Sequence, residues 1–195
     1  MDKYIDVNKD VTRKLVNKKK YKRKKIFDRY NKQFNFMKKY IDKDFNILDV
    51  GCRTGGYLEK LSENGYKNIF GIDVSQYALE LCINEFNCYK MDLMNIGFPD
   101  KTFDYIHLSH VLEHVPNPIV ALKNVSEILK ENGLLFIEVP LQKREIYEKR
   151  DNGHFYFFEE ESDLTELLEN YDILKKEFIK SGKKKYNIRL VCRKI

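Results

Sequence analysis

The sequence is poor in residues that staple or interrupt a chain. Its 195 residues include four cysteines, four prolines and nine glycines. Cys52, Cys82, Cys88 and Cys192 form no C-x-x-C pair. A zinc site or a disulfide framework is therefore not expected, nor is any other metal. Reduced thiols in a cytoplasmic compartment are the default. No apolar run approaches the roughly 18 residues of a membrane helix. The stretch MDKYIDVNKDVTRKLVNKKKYKRKK lacks the apolar centre of a secretory signal. There is no internal repeat and no Pro/Gly/Ser-rich linker. A hydrophobic content of 43%, with 13% aromatic residues, suits one globular domain with a core.

Charge is plentiful but unevenly placed. The net charge is +6. Residues 1–43 hold 16 Lys/Arg against 5 Asp/Glu, and the remainder 20 against 25. The basicity thus belongs to an N-terminal arm on a mildly acidic body. The run KKKYKRKK, Lys18 to Lys25, suits a solvated helix face, or a surface drawn to nucleic-acid phosphates.

From Ile26 onward, Phe27, Tyr30, Phe34, Met37 and Ile41 step by three and four, which predicts one apolar helix face. Residues 1–44 read as a basic arm and amphipathic helix of the same domain, placed to act as a lid. Residues 45–195 read as the main fold. There, strand and helix signals alternate. NILDV, NIFGID, CYKMDL, FDYIHLSH and LLFIEV read as five strands. GGYLEKLSEN, SQYALELCINEF and PIVALKNVSEILKEN read as helices, the last stopped by Gly133. Ser75 and Asn117 are predicted caps, and Pro118 fits the first helical position. A helix over EEESDLTELLEN precedes two strands joined at Ser181-Gly182, which must be antiparallel neighbours. The predicted fold is α/β: a Rossmann-like, doubly wound seven-stranded sheet, mostly parallel, with an antiparallel C-terminal hairpin.

Ligands of such sheets sit at the C-terminal strand ends. Four ends here carry suitable groups. Gly51-Cys52-Arg53-Thr54-Gly55-Gly56 is a turn whose backbone approaches a ligand closely. Asp73 offers a carboxylate to two ribose hydroxyls. Asp92 is placed for a purine amino group. Ser109, His110 and Val111 end the fourth strand. A dinucleotide loop wants glycine at 51, 53 and 56, and a methyl-donor loop at 51, 53 and 55. Both templates fail at Arg53. Asp49, Asp92 and the terminal hairpin favour the methyl donor over a nicotinamide cofactor.

With these residues assembled, the chain resembles the class I S-adenosylmethionine-dependent methyltransferases, in their compact small-molecule and glycan branch. ILDVGCRTGGYL resembles the first motif and FGIDVSQYAL the second. MDLMNIGFPDKTFDYIHLSHVLEHVPNP resembles the third and fourth, LKENGLLFIEVP the fifth strand, and HFYFFEEESDLTELLE the segment that follows it. The likeness covers roughly residues 45–195, and as a set the motifs are specific. It implies an enzyme moving a methyl group from S-adenosyl-L-methionine to an O or N atom of a small molecule or glycan sugar, leaving S-adenosyl-L-homocysteine. It implies that Gly51, Cys52 and Gly55 line the methionine and ribose, and that Asp73 holds the ribose with Val74 beside adenine. Asp92 meets the adenine amine, Leu93 stacks near its ring, and His110 lies at the methionine end. Asp49 orients the loop.

Arg53 is the departure, with three readings. Its backbone is ordinary and its guanidinium pairs with the cofactor carboxylate, it projects into solvent, or it obstructs the pocket. His154 and His110 are the candidate general bases, should the acceptor need one. Two other classes compete: a nucleic-acid methyltransferase gripping phosphates through the basic arm, and a non-catalytic cofactor-binding protein with a degenerate loop.

Overall fold

The computed structural model describes residues 21–82, 86–143, 153–182 and 185–195, with backbone alone for residues 21–27, 182 and 185. The Lys-rich arm up to residue 20 lies outside the described residues, and so does its expected hold on phosphates. Among the described residues seven strands form a sheet that is mostly parallel, with antiparallel pairing at its C-terminal strands. The chain divides into two units, meeting in sequence at Asp92 and Leu93.

The first unit begins with α1 (Tyr21–Met37). Strands β1 (Ile47–Val50) and β2 (Ile69–Asp73) flank α2 (Gly56–Glu63). Strand β3 (Asn87–Lys90) follows α3 (Gln76–Leu79). β1 pairs parallel with β2, and β2 with β3. Every residue of β1 is buried, as expected of an apolar run inside a parallel sheet. The apolar face of α1 is used: Phe34 meets the Tyr66 ring edge-on at 6.1 Å, and Met37 is fully buried. Ile41 is also buried, but beyond the helix and the turn that ends it.

The second unit contains β4 (Phe103–Ser109), α4 (Pro118–Ile128), β5 (Leu129–Leu141), the short α5 (Ser162–Thr165), β6 (Tyr171–Gly182) and β7 (Lys185–Lys194). β4 and β5 are parallel, while β5–β7 and β6–β7 are antiparallel. Asn117 caps α4 by accepting from Ile119 N and Val120 N, at 3.1 and 3.2 Å. Among the described residues, no helix is long and apolar enough to cross a membrane.

Five expectations change. The helix read over SQYALELCINEF is a single turn, Gln76–Leu79. Ser181 and Gly182, read as the joint of the terminal hairpin, belong to β6. Helix α4 stops at Ile128, not at Gly133, because Leu129 already pairs with Phe103. The sheet partner outweighs the good helix propensity of Lys130 and Glu131, and Asn132 turns the chain at φ 60°. The expected long helix before β6 is a single turn, continued as 3₁₀ over Glu166–Leu168. The cysteines also depart from expectation. Cys82 and Cys88 are joined as a disulfide, because β3 runs back beside the end of α3 and brings their Cα atoms to 6.3 Å. Cys52 and Cys192 are free and buried.

Candidate functional site

In the first unit, the turn after β1 is built on left-handed backbone. Gly51, Arg53 and Gly55 have φ of 71°, 52° and 79°. Glycine reaches such angles freely, whereas an L side chain there costs about 1–2 kcal/mol. The backbone of Arg53 is therefore not ordinary: the arginine adopts the conformation a glycine would supply. Its N–H donates to Asp73 Oδ2 at 2.9 Å, and Ser75 N donates to Asp73 Oδ1 at 2.8 Å. Gly51 N and Cys52 N both donate to Ile72 O. The loop is thus tied to the C-terminal end of β2 from both sides.

Asp73 is 8% exposed. Burial pushes its carboxyl up; the N–H groups of Ser75 and Arg53, with the Arg53 charge, offset this only in part. Asp49 is buried in β1, and its carboxyl is held well above the usual range by burial and by Asp73, with Arg29 acting against them. Arg53 is half-buried.

Cys52 turns its thiol into the core. A Cβ on Gly71 would meet its Sγ at 2.7 Å, so the thiol packs on bare β2 backbone. Burial and the nearby carboxylates of Asp49 and Asp73 raise that thiol well above its ordinary value. Gly55 faces Cys82 Sγ and Phe86, which a Cβ would approach at 3.0 and 3.1 Å. Val74 is half-buried directly after Asp73, and Asp92 is half-buried two residues beyond β3. Asp73 and Lys90 are register partners, so Asp73 and Asp92 belong to the same, C-terminal, strand ends.

A hollow of about 470 Å³ lies elsewhere. It is lined by Phe34, Ile41, Lys43, Lys60 and Tyr66, which precede β1 or β2 or lie on the helices. Lys43 Nζ covers the Tyr66 ring at 3.7 Å and donates to Asn64 O. It belongs to the N-terminal side of the strands, where such sheets do not bind their ligands.

The second unit carries the other candidates. Leu93 is buried, and its carbonyl accepts from Asn124 Nδ2 at 3.0 Å. His110 follows β4 with φ 56° and is locked at both nitrogens. Nδ1 lies 3.0 Å from Glu113 Oε1; Nε2 lies 3.2 Å from Asn187 Nδ2 and 3.4 Å from Glu138 Oε1. Glu138 on β5 and Arg189 on β7 are register partners, 2% and 4% exposed. Arg189 Nε and Nη2 both donate to Glu138 Oε2, at 3.1 and 2.8 Å. Burial pushes the Glu113 carboxyl up, but the hydrogen bond and charge of His110, with His114, hold it below its usual value.

His154 stands edge-on to His114 at 4.7 Å. Burial and the neighbouring imidazole of His114 push it down to about 4. Glu138, Asn187 and Arg189 were not expected at the site from the sequence, although polar residues inside apolar strands such as LLFIEV and NIRLV are the signal that marks them.

Comparison with known proteins bears on the family and the fold. A demethylmenaquinone methyltransferase of Staphylococcus haemolyticus is 30% identical, the match covering 56% of this chain and 54% of that protein. The chain thus spans about half the length of the curated relatives it matches. A SAM-dependent methyltransferase of Archaeoglobus fulgidus superposes with a TM-score of 0.72 at 19% identity, over 88% of this chain and 94% of its own. One from Methanosarcina mazei gives 0.69 at 20% identity, over 82% and 97%. At these identities the structural likeness speaks for the fold. The model of the methyltransferase-domain family matches residues 20–173, and the chain belongs to that family.

Proposed function

We propose that the protein binds S-adenosyl-L-methionine at the strand ends of its first unit and transfers the methyl group to a small molecule. The observation that carries this is Asp73. Its two oxygens each accept one backbone N–H. A carboxylate has about four lone-pair positions, more than these two N–H groups fill, so it can also accept from a ribose hydroxyl. The chemistry of the donor set therefore fits a nucleoside. Gly51 and Gly55 supply the left-handed backbone on which the loop turns, and Asp92 supplies an acceptor suited to an adenine amine. The bound sulfonium supplies an electrophilic methyl group.

What remains for the protein is orientation, the larger part of such a transfer. A proton acceptor works best with a pKa near the operating pH. His154 is far below it, and both nitrogens of His110 are already engaged. Neither is set up as a strong base. That suits an acceptor atom already nucleophilic, such as an amine or an ionised oxygen, better than an aliphatic alcohol. His110 has a positioning part, fixing the turn after β4. The small-molecule acceptor is supported by the curated relatives, whose names refer to demethylmenaquinone.

Calorimetric titration with S-adenosylhomocysteine, with NADH as control, tests this reading. The expected result is saturable binding of the former alone, weakened at least about tenfold in Asp73→Asn. Binding of NADH in its place, or an unaffected Asp73→Asn variant, overturns it.

A further inference from the structure

The turn after β4 and the segment that begins at Gly153 are held together by contacts that methyl transfer does not require. The main-chain oxygen of Glu113 accepts from Phe155 N at 2.9 Å and from Tyr156 N at 3.2 Å. His114 Nδ1 lies 2.9 Å from Gly153 O. A carbonyl oxygen can only accept, so Nδ1 carries the proton and the ring lone pair sits on Nε2. These bonds bracket His154 and fix its position against His114. The Glu113 side chain is 1% exposed. Its Oε1 is engaged by His110, while Oε2 is buried and has no hydrogen-bond partner. One ligating atom from each of Glu113, His114 and His154 lies within 4.8 Å of the other two.

An unpartnered buried carboxylate oxygen is costly and calls for an explanation. A cation supplies one. Two imidazoles and one carboxylate are the donor set of borderline divalent transition ions. The surroundings are those of a ligand sphere: His114 donates its other ring N–H to a backbone carbonyl, and the far oxygen of Glu113 is held by His110. The geometry points to a divalent transition-metal site formed by Glu113, His114 and His154, taking zinc or an ion of similar preference.

Donor atoms around tetrahedral zinc stand about 3.4 Å apart. The three donors now lie within 4.8 Å of one another, on a backbone anchored at Glu113 O and Gly153 O. Three protein ligands leave a position open for water or for an oxygen or nitrogen donor of another molecule. The site was hidden in the sequence because His154 comes 40 residues after His114. A second cluster, Cys52, Cys82 and Cys88, also has compatible spacing, but two of its sulfurs are joined to each other.

The test is titration of the chelator-treated full chain with Co(II), followed by visible absorption, and with Zn(II), followed by calorimetry. One equivalent of each ion is expected. The Co(II) spectrum should show ligand-field bands without thiolate charge transfer in the near ultraviolet. His154→Phe keeps the ring volume and removes both nitrogens; it should bind at least about tenfold more weakly while melting at the temperature of the metal-free parent. His114→Phe should behave alike, and Cys82→Ser should bind as the parent does. Absence of saturable binding, thiolate charge transfer, or unchanged affinity in both histidine variants overturns the proposal.

Discussion

Arg53 offers a substitution whose sign, not only its size, is fixed by the backbone. Consider Arg53→Gly beside Arg53→Ala. Both remove the guanidinium and its pull on Asp73, so that loss cancels between them. Both keep the N–H that donates to Asp73. They differ in backbone freedom alone. At φ 52° an alanine retains the left-handed strain of about 1–2 kcal/mol, which glycine removes. Glycine in turn loses more backbone entropy on folding, about 0.5–1 kcal/mol. Taken at their midpoints, the two figures favour Arg53→Gly over Arg53→Ala by about 0.7 kcal/mol, or about 1.5–3 °C in melting temperature for a chain of this size. At an ordinary φ the order is reversed. Urea unfolding of the two variants, at equal protein concentration, reads the difference. An alanine variant as stable as the glycine variant, or more so, refutes the reasoning.

Three other outcomes follow from the packing and charge. Arg189→Met leaves Glu138 buried without its main partner and should cost about 3–5 kcal/mol by denaturant unfolding, most of it recovered when Glu138→Leu is added; a loss under 1 kcal/mol contradicts the buried pair. Met37→Ala, at a fully buried position on α1, should cost about 2–5 kcal/mol, and near-neutral behaviour would mean that α1 is not docked in solution. Asp49 has a folded-state pKa raised well above 3.8, so the folded state holds its proton longer than the unfolded state does. Its contribution is greatest below that value and declines as pH rises through the raised one. Asp49→Asn should therefore gain stability relative to the parent as pH increases from about 4; a flat or opposite trend in pH-dependent melting contradicts the assignment.

The strand–helix alternation was legible because each strand is a short, dense apolar run bounded by turn residues. The placement of Asp73 at the end of β2 followed from it, since the run NIFGID ends there. The terminal hairpin was legible from a turn too short for a crossover. Other features depend on partners that a linear pattern does not name. The early stop of α4 is dictated by the pairing of Leu129 with Phe103. The Glu138–Arg189 pair depends on the register between β5 and β7. The meeting of His114 with His154 depends on where the chain returns after β5. For Arg53, the sequence showed a glycine position filled by arginine, but not that the backbone keeps the glycine conformation regardless.

The central claim is that the carboxylate of Asp73 and the loop it anchors hold the cofactor. A crystal structure of the protein with S-adenosylhomocysteine tests it most directly. The account predicts ligand density at the C-terminal ends of β1 and β2, with ribose hydroxyls hydrogen-bonded to Asp73 and the Arg53 N–H still donating to the same carboxylate. A ligand bound elsewhere on the chain, or a loop that must abandon Asp73 to admit it, contradicts the account.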